Sequence, residues 1–157
     1  MRFVCDDTLG KLAKYLRILG FDTHHVRDIN LIKYYKNEAD KPFLLTRRLG
    51  AKTPYDKCIK IKSDSVDEQL KEIRDMIIPF IQKNMPMSRC LHCNDVLIDI
   101  KKIDIEQFVP EYVLHNHERF KSCPSCKKVY WQGTHADHMV EWIEKFTAEK
   151  PTFVKKS

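Results

Sequence analysis

A chain of 157 residues, 43% hydrophobic and 32% charged, has the composition of an ordinary soluble protein, with room for one good core and a small appendage that needs outside help to fold. No apolar run nears the roughly 20 residues that span a bilayer, and "MRFVCDDTLG" meets two aspartates where a secretory signal needs apolar residues. These features exclude a membrane role and predict a cytoplasmic protein. The net charge of +6 sits almost wholly in residues 1–85, where 17 Lys/Arg face 12 Asp/Glu; this bias suits a polyanionic partner such as RNA, and equally a solvated mixed surface.

The first apolar run, Phe3 to Cys5, leads into Asp6 and Asp7, after which Leu9, Leu12, Leu16 and Leu19 recur at helical spacing until Gly20. That pattern predicts a strand, a helix of about three turns and a glycine stop. Asp22 to Asp28 predicts a second strand, with Asp22 in the turn before it, and a short helix follows around Leu31 to Glu38. The run "PFLLTRRLG" predicts a third strand ending on Arg47 and Arg48. Beyond a loop carrying Gly50 and Pro54, "KCIKIKS" alternates as a fourth strand. Val66, Leu70, Ile73, Ile77 and Phe80 then mark one face of a helix that Pro79 bends or ends.

"NMPMSRC", Asn84 to Cys90, reads as a linker between a domain at 1–84 and a second module at 85–148, with 149–157 a frayed tail. The module is mostly strand and loop. It closes with "THADHMVEWIEKF", where Thr134 caps a helix whose Met139, Trp142, Ile143 and Phe146 form an apolar face.

Strands alternating with helices predict an α/β fold with a mostly parallel sheet. All its strands end on one edge, where open α/β sheets place their chemistry. That edge collects Asp6, Asp7, Asp28, Thr46 to Arg48, Asp64 and Asp67. Converging carboxylates can hold Mg²⁺ or Mn²⁺ and activate water for phosphodiester hydrolysis. Helix capping explains Asp6 equally well, and Asp64 is a reasonable cap for the helix after it.

Four of the six cysteines form "CLHC", Cys90 and Cys93, and "CPSC", Cys123 and Cys126, separated by 29 residues. Two CxxC turns supply the tetrahedral thiolate set of a closed, structural Zn²⁺ site; the competing readings are a redox pair or unrelated thiols. Cys5 and Cys58 read as small buried hydrophobes. With four sulfurs present, His92, His115, His117, His135 and His138 are unnecessary as ligands.

Together, "FVCDDTLGKLAKYLRILGFDT", "FLLTRR", "DEQL", "RCLHCNDVL" and "CPSCKKVYWQGTH" resemble the C-terminal RNase domain family of the Mut-seven exonuclease, from Phe3 to about Met139. The resemblance implies a PIN-like domain followed by a zinc ribbon, and a metal-dependent endoribonuclease. By position, Asp6 and Asp28 would hold the catalytic Mg²⁺ or Mn²⁺, with Asp7 and Asp64 in support. Arg47, Arg48, Lys11 and Lys52 would contact RNA, and the ribbon would dock substrate or a ribonucleoprotein surface. Architectural analogy extends the substrate class to structured or ribosomal RNA, with no small-molecule cofactor. Two positions depart from the pattern: Asn30 stands where relatives often carry aspartate, and Arg48 where many carry the aspartate of "LTRD". Arg48 would either pair with Asp6 or Asp28 and compete with a metal, or grip a phosphate. The first case describes an RNA- or ribosome-binding factor with a neutralised pocket.

Overall fold

A computed structural model describes residues 1–48 and 55–148, and the chain divides into two units, Met1–Met87 and Ser88–Ser157. The expected loop around Gly50, Lys52 and Pro54 and the expected tail at 149–157 lie outside the described residues.

The first unit is built on four parallel strands, β1 (Arg2–Cys5), β2 (Asp22–His25), β3 (Phe43–Thr46) and β4 (Cys58–Lys60), in the order β2-β1-β3-β4. Central strands covered on both faces read as unbroken apolar runs: Phe3, Val4 and Cys5 of β1 and Leu44 and Leu45 of β3 are fully buried. The edge strands are more polar. His24 and His25 on β2 and Cys58 and Lys60 on β4 are exposed, so Cys58 is not the buried hydrophobe expected of it. It occupies an edge strand, with no further strand on its outer side among the described residues.

Helix α1 (Gly10–Ile18) follows a 3₁₀ turn at Asp7–Leu9 and buries Leu12, Ala13, Leu16 and Ile18. Arg17 is also buried, and its Nε donates to the Thr23 carbonyl at 2.9 Å, so the guanidinium is tied to β2. The helix stops at Gly20, whose φ of 87° is left-handed and whose missing Cβ would otherwise strike the Asn84 carbonyl. Asp22 is the first residue of β2 rather than a turn, because its carboxylate meets the Arg2 guanidinium at 3.2 Å across the β1–β2 pair. The second strand ends at His25, earlier than expected. The segment after it is a 3₁₀ helix, Ile29–Tyr35, capped by Asp28, which accepts the Asn30 amide hydrogen at 2.9 Å.

Helix α2 (Val66–Ile81) buries Leu70, Ile73, Ile77 and Ile81, whereas Phe80 is 36% exposed. Its cap is Ser65, which accepts from the Glu68 amide at 3.3 Å, and not Asp64. Pro79 does not end the helix. The helix runs two residues past it to Ile81, and a 3₁₀ turn continues through Gln82–Asn84.

The second unit holds an antiparallel sheet of β5 (Ile98–Ile100), β6 (Phe120–Ser122) and β7 (Val129–Trp131) in chain order, with α3 (Glu111–Asn116) and α4 (Thr134–Ala148). Its buried apolar clusters are small. One joins Ile105, Val109, Val113 and Phe120, and the other joins Leu97 with Cys90 and Cys123. Cores of this size rarely sustain a fold unaided.

No helix among the described residues is long and apolar enough to cross a membrane.

Candidate functional sites

Chain direction singles out one point on the sheet edge of the first unit. From β1 the chain moves outward to β2 and then returns across β1 to β3, which makes the gap between the ends of β1 and β3 the topological switch point where such sheets open a crevice. Asp6 follows β1 there and Thr46 closes β3. The Asp6 amide donates to the Leu45 carbonyl at 3.2 Å, joining the two strand ends.

Asp6 is fully buried. It accepts from the Thr8 amide at 2.9 Å, from the Thr8 hydroxyl at 2.5 Å and from the Thr46 hydroxyl. A carboxylate offers about four lone-pair positions, so three bonds leave about one. Thr46 in turn accepts from the Arg48 amide at 3.1 Å, so the backbone at Arg48 is fixed by the hydroxyl that holds Asp6.

The Arg48 guanidinium reaches neither Asp6 nor Asp28. It donates to Asp7 at 2.6 Å, with each side chain about 40% exposed. That hydrogen bond is the main reason the Asp7 carboxyl lies below the ordinary carboxylate range. The same bond is the main cause that raises Arg48, with smaller contributions from Asp6 and Asp28. One cation therefore lies within the field of three carboxylates. Asp28 is exposed and spends an oxygen on its 3₁₀ cap. Asp64 is exposed and ion-paired with Arg47. Lys11 is exposed in the first turn of α1, and Lys52 lies outside the described residues.

His25 was not picked out by the sequence reading. Its imidazole packs against the start of α1, with Cε1 3.2 Å from the position a Cβ on Gly10 would take, and it makes a minor contribution to the lowering of the Asp7 carboxyl. The rule that selected Asp28, the residue closing the second strand, selects His25 once that strand is known to end there.

Among the described residues, the group of metal-ligand side chains gathered tightly enough to share one ion is Cys90, Cys93, Cys123 and Cys126, with sulfurs within 4.8 Å of one another. Each pair sits on a tight knuckle. In the first, the Asn94 amide donates to the Cys90 carbonyl at 2.9 Å and the Cys93 amide approaches Cys90 Sγ at 3.3 Å. In the second, the Lys127 amide donates to the Cys123 carbonyl at 3.0 Å and the Cys126 amide approaches Cys123 Sγ at 3.5 Å. Asn94 and Lys127 close the knuckles with positive φ. Arms of about 2.3 Å in a tetrahedron put sulfurs about 3.8 Å apart, and Cys90 Sγ and Cys126 Sγ are 3.7 Å apart. Burial pushes the Cys90 thiol up, but the Tyr130 hydroxyl at 3.2 Å and backbone amides outweigh it and bring the thiol down to about 6. The quartet can therefore hold a metal such as zinc.

Among the described residues, the acidic side chains are not gathered in this way.

Comparison with curated proteins returned no match, and comparison with solved structures returned none. The family model described as Mut7-C RNAse domain matches residues 1–143. A match over most of the chain suggests a ribonuclease-type function, and with it RNA as the substrate. By that match, the chain belongs to the Mut7-C RNAse domain family.

Proposed function

We propose that the protein is a metal-dependent endoribonuclease of PIN-like fold whose site is the crevice between the ends of β1 and β3. The observation that carries this reading is Asp6: a fully buried carboxylate at the topological switch point, held by three donors and with one lone-pair position to spare. Burying a carboxylate is costly, and a helix cap alone does not require it, since caps work at the surface.

In this reading Asp6 and Asp28 would hold Mg²⁺ or Mn²⁺, which would supply an activated water and stabilise the leaving oxygen of a phosphodiester. The chain's own residues position the RNA. Arg47 and Arg48 leave the end of β3 side by side and meet backbone phosphates, each held in the free protein by a carboxylate, Asp64 or Asp7. His25 adds a group able to accept or donate a proton beside Asp7. The four cysteines hold one structural Zn²⁺, and the ribbon around it docks RNA or a ribonucleoprotein such as the ribosome.

The Asp7–Arg48 ion pair favours a second reading, in which the acidic pocket is neutralised and the protein binds RNA without cutting it. Asp6→Asn separates the two. Wild-type protein should cleave single-stranded RNA with Mn²⁺ stimulation, and the folded variant should not. Equal cleavage by both would remove the enzymatic reading, and absence of cleavage in both, with RNA bound, would establish the second.

A further inference from the structure

We propose that a cleft in the second unit, where β6 and β7 meet the start of α4, binds one unstacked nucleotide of single-stranded RNA. The cleft is lined by Asn116, His117, Glu118, Arg119, Gln132 and Asp137. Strand register builds it: Phe120 pairs with Trp131 at the end of the ladder, so Arg119 and Gln132 face each other one step beyond.

Trp131 borders the cleft, next in sequence to Gln132 of its lining. Its indole folds back over Gly133, where a Cβ would lie 3.0 Å from Nε1 and 3.3 Å from Cδ1, with His117 Nε2 4.0 Å from the same point. A side chain at this position would push the indole aside by a few tenths of an ångström, and both the indole N–H and an imidazole nitrogen lie near this point. The indole is still 36% exposed, so area remains for stacking.

Several of the polar groups around it are not spent on the protein. Among the described residues, the Arg119 guanidinium, the Gln132 amide and the His117 ring have no side-chain hydrogen bond or ion pair. Asn116 uses its Nδ2 on the Tyr112 carbonyl at 2.7 Å and keeps its oxygen. The Glu118 charge is answered by Lys102 at 2.8 Å, which leaves Asp137 as the cleft's unanswered carboxylate.

A cation, an aromatic plane and amides able both to give and to accept match the three parts of a nucleotide. Arg119 meets the phosphate, Trp131 stacks on the base, and Gln132, Asn116 and His117 read its edge. Asp137 accepts from a ribose 2′-hydroxyl or an exocyclic amine. An apolar ligand would leave these groups desolvated and unpaired. A base must be splayed out to enter, so duplex RNA is excluded.

This deepens the ribonuclease reading, on which the choice of RNA rests. The test measures binding of a single-stranded oligouridylate of about ten nucleotides to the zinc-loaded full chain carrying Asp6→Asn, so that the probe is not consumed. Trp131→Ala and Arg119→Ala should each weaken binding about tenfold, the loss expected for one stacking platform or one strong backbone contact. Trp131→Phe should recover most of the affinity. Arg119 is exposed and unpaired, so its variant stays folded even if Trp131→Ala does not. Unchanged affinity in Arg119→Ala and in Trp131→Phe and Trp131→Ala alike, or equal affinity for a duplex of the same length, would overturn the proposal. Cleavage by the wild-type chain is scored separately: cleavage with an inert cleft removes the cleft alone, and a working cleft without cleavage removes the nuclease alone.

Discussion

Arg48 stands where the resemblance expects aspartate, and its guanidinium is committed to Asp7. Replacing it by aspartate removes one positive charge and adds a negative one beside Asp6 and Asp28, which should tighten Mn²⁺ binding and raise Mn²⁺-dependent cleavage. Unaltered metal affinity in a titration would show that the position lies outside the metal's reach. The ion pair itself follows pH in a fixed direction. The Asp7 carboxyl is depressed, so whatever the pair contributes is complete at neutral pH and is lost as pH falls below about 4, through the folded value. Both groups are exposed, and solvent screening keeps that contribution small. Tyr130 offers a sharper residue-level test. Its hydroxyl stabilises the Cys90 thiolate, so Tyr130→Phe should raise that thiol, and protons should displace the proposed zinc at a pH about one unit higher, as a hydrogen bond to a charged group implies. A zinc-release curve that does not move would place the Tyr130 contact outside the metal site's energetics.

At the scale of single elements, α1 is stopped by backbone geometry rather than by sequence polarity. Gly20→Ala places a Cβ against the Asn84 carbonyl in a left-handed conformation, and should cost at least about 2 kcal/mol in a denaturant melt. Ser65→Ala removes the α2 cap and should cost about 1 kcal/mol, whereas Asp64→Ala should cost little of it. These two residues show where the sequence was readable and where it was not. The leucine spacing and the glycine announced α1, because helical periodicity and left-handed φ leave strong local marks. The choice between Asp64 and Ser65 had no such mark, since either is a good cap and one residue of register decides. The same shortfall hid His25: the end of β2 is set by pairing with β1 up to Cys5, a tertiary fact. Cys58 was misplaced for a related reason, because an alternating pattern does not say whether a strand is central or at an edge. The gathering of the four cysteines was readable, since it follows from the spacing of the two pairs, while the cleft beside Trp131 depends on a β6–β7 register that the block "YWQGTH" does not disclose.

At the scale of the chain, the two units draw stability from different sources. The first has two largely buried central strands and two helices packed by apolar faces, so it should not depend on metal. The second has small apolar clusters and four converging sulfurs, so metal binding should supply much of its folding energy. Chelation should therefore accelerate amide exchange across residues 88–148 while β1 and β3 stay protected, and mass spectrometry of the untreated protein should find about one zinc per chain. A chain that resists chelation throughout would refute the structural site.

The outer strands of the first sheet also govern how the protein behaves in a crowded solution. β4 is three residues long and carries Lys60, with Lys57 just before it and Lys62 just after, and β2 ends in two exposed histidines. Short, lysine-bordered margins make poor templates for another strand. Growth of this sheet by capture of a further chain is thereby discouraged.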